Sequence, residues 1–469
     1  MGAPLSSVAV LGHGLAAWMA AAQLCRSLPG SVSVTVVGGR PDAPLDALYG
    51  AVMPPETYGF HTGLGISEPE LVMATGTAFS FGTAVQDWGE QGLGWVQPFH
   101  LPLASLDGVP LHLLALRAGV SLQSLLISAQ AGRAGRFAHP PEDRDHPLSR
   151  AEYGYLIDAP DIAALYRGRA SRADVVDSAV ARVERDGDTV TALRLENGRR
   201  VVADLFIDAS GPDATLIGVP DRARTAAVTV SNAPVPDARS PIGLATARAD
   251  GLRVQSATRT RLTELSVGGD GQAVAFLQQA ESWRGNVVAV GQAACTVEPL
   301  NVAPMRLLLR DVARLVELFP VDADMRVERE QYAQSARDDQ DHALAFHQAH
   351  FHGVDFGGGA YFSDAAAWSH PKLERKLTQF AGRGYLVGFD HEPFHPLDWA
   401  VLHDALGRRP ARADALARQV PLPRIEAHLS DMAARVAATV PRMPPHAIYL
   451  AKLSDYLRRK PELGGRHAG

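Results

Sequence analysis

One stretch near the N-terminus constrains the fold more than any other. Val8-Ala9-Val10-Leu11 is a short apolar run, Gly12-His13-Gly14 follows at once, and Ala16 to Leu28 is rich in the helix formers Ala, Leu and Met. Ser31 to Val37 is β-branched and reads as a second strand. Strand, glycine turn, helix and strand make a βαβ unit, which requires a parallel sheet. Within it, Gly12-x-Gly14-x-x-Ala17 fits the dinucleotide-binding fingerprint in its G/A form. Gly12 permits the tight turn, Gly14 lets the backbone approach a pyrophosphate, and the small Ala17 packs helix on strand. The acidic residue that ordinarily closes the second strand and holds a ribose hydroxyl is replaced by Val37-Gly38-Gly39. Asp42 lies a few residues on, before Ala-Pro, where an aspartate serves as a turn residue more often than as a ribose ligand.

Met1 to Cys25 contains no Asp, Glu, Lys or Arg, which invites comparison with a signal peptide or a membrane anchor. A signal peptide needs a basic leading region, yet the first Lys or Arg is Arg26, and a spanning helix does not accommodate Gly12-His13-Gly14. The stretch reads instead as a buried strand followed by a buried helix. Lys+Arg of 45 against Asp+Glu of 51 gives a net charge of −6, which lacks the basic footprint of a nucleic-acid binder. With 46% hydrophobic and 20% charged residues the chain is globular, long enough for about three average domains. Cys25 and Cys295 allow at most one disulfide, so a reducing cytoplasm is expected. Lysine is confined to Lys372, Lys376, Lys452 and Lys460, so the first 371 residues hold no lysine nucleophile, Schiff base or Walker-type phosphate lysine.

Further along, Thr189 to Leu195 and Val201 to Ile207 are β-rich and flank Glu196-Asn197-Gly198, a hairpin signal. Val287 to Val290 is another apolar strand leading into Gly291-Gln292-Ala293-Ala294, and Met305 to Phe319 reads as a long amphipathic helix. The expected class is α/β: a Rossmann-like doubly wound sheet with an inserted mixed substrate region and a helical C-terminal region. Residues 1–45, 150–215 and 284–320 are assigned to a discontinuous nucleotide-binding domain, 46–149 and 216–283 to the mixed substrate side, and 321–469 to the mainly helical region.

These pieces come in the order seen in the flavin-dependent tryptophan halogenase family, which the chain resembles over nearly its whole length. Gly12-His13-Gly14-Leu15-Ala16-Ala17-Trp18-Met19-Ala20-Ala21 is similar to that family's opening G-G-G-T-A-G-W-M-A-A. Phe60-His61 and Leu64-Gly65-Ile66 match the segment after its second flavin-contacting turn. Asp204 to Gly211 looks like its D-L-F-I-D-C-S-G, and Trp283 to Leu300 like its region ending in V-E-P-L. Phe394-His395-Pro396 and Met443-Pro444-Pro445-His446 extend the match towards the C-terminus.

The resemblance implies an FAD-binding fold of the flavin monooxygenase type, a separate flavin reductase and a small aromatic, indole-like substrate. In the family, oxygen activated on reduced flavin turns halide into hypohalous acid, which a lysine delivers to the substrate. Here the lysine position is Ser80 and the active-site glutamate position is Asn301. The Ser-Thr-Gly turn that receives halide becomes Val302-Ala303-Pro304, and proline removes an amide donor. The W-x-W-x-I-P signature falls on Leu252 to Ala257 without either tryptophan, and the glutamate of the G-E-A-T turn falls on Ala51. Serine cannot position the acid as an ammonium does, so halogenation by this route is not expected.

Two readings follow. The first is an FAD-dependent monooxygenase that inserts oxygen in place of halogen. Its flavin contacts are Gly12, Gly14, Ala17, Trp18, Asp208, Gly211, Glu298 and Pro299, and its candidate substrate residues are Trp95, Gln97 and Phe99, where the family has its H-P-F segment. The second is a catalytically inactive relative that keeps the scaffold as a binding or partner protein. Metal binding by His347, His350 and His352, or by His391 and His395, is the weaker idea, since no carboxylate or cysteine completes a ligand set there. No metal, nucleic-acid or membrane partner is expected, and the residues leave the oligomeric state open.

Overall fold

The structure, a computed structural model, describes residues 4–38, 44–90, 92–218, 220–235, 240–367 and 370–459. Asp42 and Gly39 lie outside the described residues. The N-terminal βαβ unit forms from strand Ser7–Leu11, helix Leu15–Ser27 and strand Ser33–Gly38. The central sheet has six strands in the order Trp283–Arg284, Val287–Ala289, Leu205–Asp208, Ser7–Leu11, Ser33–Gly38 and Asp174–Asp177. All pairs are parallel except the edge pair made by Trp283–Arg284. Val8 to Leu11 and Leu205 to Asp208 are buried throughout, as strands covered on both faces must be.

The expected strand Val201 to Ile207 is in fact two. Arg200–Val201 closes the hairpin with Thr189–Leu195, whereas Leu205–Asp208 leaves it to enter the central sheet beside Ser7–Leu11. The switch sits at Asp204, whose Oδ2 accepts from the amides and hydroxyls of both Ser6 and Ser7 at 2.8–3.0 Å. That anchor fixes the register of the second strand independently of the hairpin.

A seven-stranded, mostly antiparallel sheet runs in the order Gln272–Gln278, Arg222–Ala233, Leu262–Gly268, Gly251–Ala257, Gly243–Arg248, Gly82–Gln86 and Trp95–Pro98. A smaller sheet joins Val52–Met53, Gly154–Leu156 and Ala78–Ser80. The described residues beyond 320 are mainly helical, including Arg326–Ala349, Pro371–Arg383, Pro396–Ala405, Leu422–Thr439 and His446–Arg459. These helices share a core with the mixed region: the Trp88 indole donates to the His350 carbonyl at 2.6 Å, and Phe137 stacks on Phe79 while touching Tyr449. Among the described residues, no helix is long and apolar enough to cross a membrane.

Candidate active site

The glycine turn is shaped first by its own packing. The Gly12 amide donates to the Val37 carbonyl at 2.8 Å, its φ is +132°, and a Cβ there would stand 2.3 Å from the Ala209 carbonyl oxygen. The same Cβ would lie 3.3 Å from Ala17, so the small third residue belongs to that contact. Gly14 is different. A Cβ on it would collide with the two carboxylate oxygens of Asp46, at 2.5 and 2.6 Å. Helix Leu15–Ser27 has no acidic residue in its first turn and Gly14 offers no side-chain cap. Its N-terminal amides therefore favour an incoming anion. Asp46 supplies it: Oδ2 accepts from the Leu15 amide at 2.6 Å. Burial pushes this carboxyl up to about 7, against the pull of the Leu15 hydrogen bond. The carboxylate thus caps the helix N-terminus, at the place where the resemblance puts the pyrophosphate of FAD.

Asp46 belongs to the short turn Pro44–Tyr49, which docks on the turn after strand Val287–Ala289. Gln292 donates from its side chain to the Leu45 carbonyl at 3.0 Å and from its amide to the Tyr49 hydroxyl at 3.2 Å. Beyond it, Gly50 has φ +96° and packs against Pro299, 3.3 Å from where its Cβ would stand. Ala47, Gly50 and Ala51 form one wall of a cavity of about 260 Å³. Ile157 to Pro160 form a second wall, and Val254, Ser256 and Leu265 of the large sheet a third. The Ser256 hydroxyl lies 3.0 Å from both the Ala51 and Ile157 carbonyls, tying the walls together. Asp158, 3% exposed, pairs with the Arg261 guanidinium at 2.9 Å on the cavity lining. Val254 and Ser256 occupy positions where the resemblance places the second tryptophan and the isoleucine of W-x-W-x-I-P.

The structure gives the other candidate residues distinct duties. Asp208 spends its carboxylate on its own turn, accepting from the Ser210 amide and hydroxyl and from the Leu216 and Ile217 amides. Gly211 adopts φ +79°, with Gln292 Oε1 the nearest atom to a would-be Cβ at 3.6 Å. Trp18 is buried beneath Arg167, whose guanidinium lies 5.2 Å from the ring centre. Glu298 is buried and pairs with Arg224, with His347 at 3.1 Å and with the Tyr361 hydroxyl at 3.4 Å. Burial and the Arg224 guanidinium hold the His347 imidazole neutral, down to about 3.

Ser80 has no exposed surface, and its hydroxyl donates to the Gly82 carbonyl at 2.9 Å. Asn301 accepts from the Ala303 amide at 2.8 Å, while its buried Nδ2 has no hydrogen-bond partner among the described residues. Together with Pro304 in the first turn it starts helix Ala303–Glu317, so the expected halide turn has become a helix entry. Trp95 packs on Trp88 and His350, Gln97 donates to the Asp398 carboxylate at 3.1 Å, and Phe99 touches the Gly154 position opposite Ser80. None of the three lines the 260 Å³ cavity. His347 faces Glu298 and His350 bonds the Phe346 carbonyl, and no group of three metal-binding side chains occurs among the described residues.

Asp46, Arg224 and Arg261 were not legible as site residues, because their roles depend on contacts across 31 to 103 positions of sequence. The one signal in the sequence was a helix whose first turn lacks acidic residues and whose N-cap is glycine.

The tryptophan halogenase profile matches residues 7–232 and 242–422. Tryptophan 6-halogenase ThaL of Streptomyces albogriseolus is 24% identical over 413 residues, spanning 74% of this chain and 76% of that protein. Tryptophan 7-halogenase KtzQ of Kutzneria sp. is 29% identical over 238 residues, 46% and 44% of the two chains. BrvH, a flavin-dependent halogenase from Brevundimonas sp. BAL3, superposes with a TM-score of 0.85 at 24% identity, covering 96% of this chain and 99% of that one. Xcc4156, a flavin-dependent halogenase from Xanthomonas campestris, gives 0.85 at 23% identity, covering 97% and 98%. The chain belongs to the tryptophan halogenase family and has the α/β fold of its flavin-dependent enzymes.

Proposed function

We propose that the protein is an FAD-dependent monooxygenase-type enzyme that places one oxygen atom of O₂ on a small aromatic, indole-like substrate. Bound FAD in its reduced form, delivered by a separate reductase, supplies the two electrons; the second oxygen leaves as water and the ring hydrogen is replaced by hydroxyl. The observation carrying this reading is the cavity beside Gly50 and Ala51, opened where Val254 stands in for a tryptophan. It is walled on three sides, opens to solvent on the fourth, and has room for an aromatic ring. The Gly12 to Leu15 turn holds the pyrophosphate, and Pro299 backs Gly50 at the ring side of the cofactor. The Asp158–Arg261 pair gives the cavity a polar end that orients a substrate N–H or O–H. Ser80, bonded to the Gly82 carbonyl, offers no amine for delivering halogen. The names of ThaL and KtzQ, tryptophan halogenases, favour an indole-like ring. A reducing cytoplasm suits the two free cysteines, Cys25 and Cys295.

Val254→Trp tests the assignment by refilling the cavity. Flavin binding is expected to persist while substrate oxidation falls about tenfold or more. Unchanged oxidation in a folded variant contradicts the proposed substrate position. The second reading, an inactive partner protein, draws on Asp46, whose carboxylate occupies the anion seat. It predicts that neither oxidised nor reduced FAD binds.

A further inference from the structure

Strand Ser33–Gly38 ends on a glycine where the dinucleotide fingerprint ordinarily has the acidic residue that holds a ribose hydroxyl. Gly38 is not among the glycines of positive φ, so its backbone accepts an ordinary side chain. What leaves no room for one is His13. A Cβ on Gly38 would stand 2.5 Å from His13 Nδ1 and 2.9 Å from both His13 Cβ and Cγ. The imidazole fills the space into which an acid at position 38 would project.

Resting on the flavin reading and going beyond it, we propose that His13 takes over the ribose contact of the missing acid. The adenosine end of FAD is then held by an imidazole from the glycine turn in place of a carboxylate on the second strand. His13 lies between Gly12 and Gly14, in the turn from strand Ser7–Leu11 into helix Leu15–Ser27. The Gly12 amide, bonded to the Val37 carbonyl at 2.8 Å, holds that turn against the end of the second strand. This is the carboxyl end of the parallel strands, where open α/β sheets bind their ligands. His13 is partly exposed, so its ring is within reach of a ligand there.

The chemistry suits the exchange. A neutral imidazole carries one donor and one acceptor nitrogen, and a ribose hydroxyl both donates and accepts, so either ring nitrogen can meet it. The imidazole also sets no negative charge beside a pyrophosphate, which a carboxylate does. His13 stands where the family's opening G-G-G-T-A-G has its second glycine, so His13 and Gly38 form a matched pair: the larger residue in the turn requires the smaller one on the strand. The competing donor of an acid is Asp177, which pairs with Gly38 from the neighbouring strand Asp174–Asp177 and is exposed.

The test titrates wild-type protein, His13→Gly, His13→Ala, Asp177→Ala and the double variant His13→Gly/Gly38→Glu with FAD, and with riboflavin as a ligand lacking the adenosine end, by quenching of flavin fluorescence. Calorimetry with ADP reads the adenosine end alone. His13→Gly is expected to bind FAD and ADP about fivefold or more weakly than wild type, with riboflavin affinity unchanged. The double variant, which removes the imidazole and restores an acid at position 38, is expected to recover most of that loss. His13→Ala carries the first comparison if the glycine variant does not fold. Equal FAD affinity in wild type and the folded His13 variants overturns the assignment, as does an equal loss for riboflavin, a double variant no better than His13→Gly, or a loss found only in Asp177→Ala. If none of the proteins binds FAD, the flavin reading itself fails, and the His13 assignment with it.

Discussion

Glu298→Ala removes the carboxylate against which Arg224, His347 and Tyr361 are packed. Arg224 has a side chain only 13% exposed, its guanidinium cannot shed its proton, and its place over the Phe276 and Tyr361 rings restricts escape to solvent. Breaking a buried pair from one side costs about 3–5 kcal/mol. The residual exposure of Arg224 admits some hydration, so the lower end, about 3 kcal/mol, is expected here. Arg224→Met alone should cost a similar amount by stranding Glu298. The double variant Arg224→Met/Glu298→Leu loses both charges and both desolvation penalties, leaving chiefly the unpaired His347 and Tyr361, about 1–2 kcal/mol. Equilibrium urea denaturation of all four corners at neutral pH gives the coupling directly. Single variants that each cost less than about 1 kcal/mol, or a double variant equal to their sum, refute the reasoning.

Acid should unfold the protein through its buried histidines. His61, His100 and His342 are lowered to about 4, and His347 and His350 to about 3, all by burial first. Above the unfolded value of 6.5 they contribute nothing; as pH falls below it the unfolded chain takes up protons first, costing up to about 1.4 kcal/mol per histidine per pH unit. Asp46 and Asp311, both raised to about 7, act oppositely over the same range, but two carboxyls do not offset five histidines. A denaturation midpoint that stays constant from neutral to about pH 5 contradicts this. Gly154→Ala places a Cβ 2.0 Å from the Met53 carbonyl oxygen and should lower the melting temperature sharply, whereas Gly59→Ala meets nothing within 4 Å and should be neutral or stabilising. Ser80→Lys buries an ammonium at a position with no exposed surface and leaves Asn301 and Pro304 in place. It should destabilise the chain without yielding halogenated product; mass spectrometry of reactions containing bromide checks this.

The βαβ opening was legible because its period, glycines and helix formers agree locally. Strand Val287–Ala289 and helix Ala303–Glu317 were legible for the same reason. The split of Val201 to Ile207 was not, because the Asp204 anchor to Ser6 and Ser7 spans nearly two hundred residues. Motif matching also located the turns at Asp208 and Glu298, but it could not tell that their carboxylates are spent on backbone amides in one case and on Arg224 and His347 in the other. Trp95 lies in an aromatic core because its strand neighbours face the C-terminal helices, a tertiary fact no local pattern encodes.

The central claim is that oxygen, not halogen, reaches the substrate. A single-turnover reaction of the protein with reduced FAD, O₂ and an indole or phenol, run with and without chloride or bromide and analysed by mass spectrometry, tests it most directly. The account predicts a product heavier by one oxygen atom, formed equally with or without halide and carrying label from ¹⁸O₂. A halogenated product, or flavin oxidation with no change in any aromatic substrate, would contradict it.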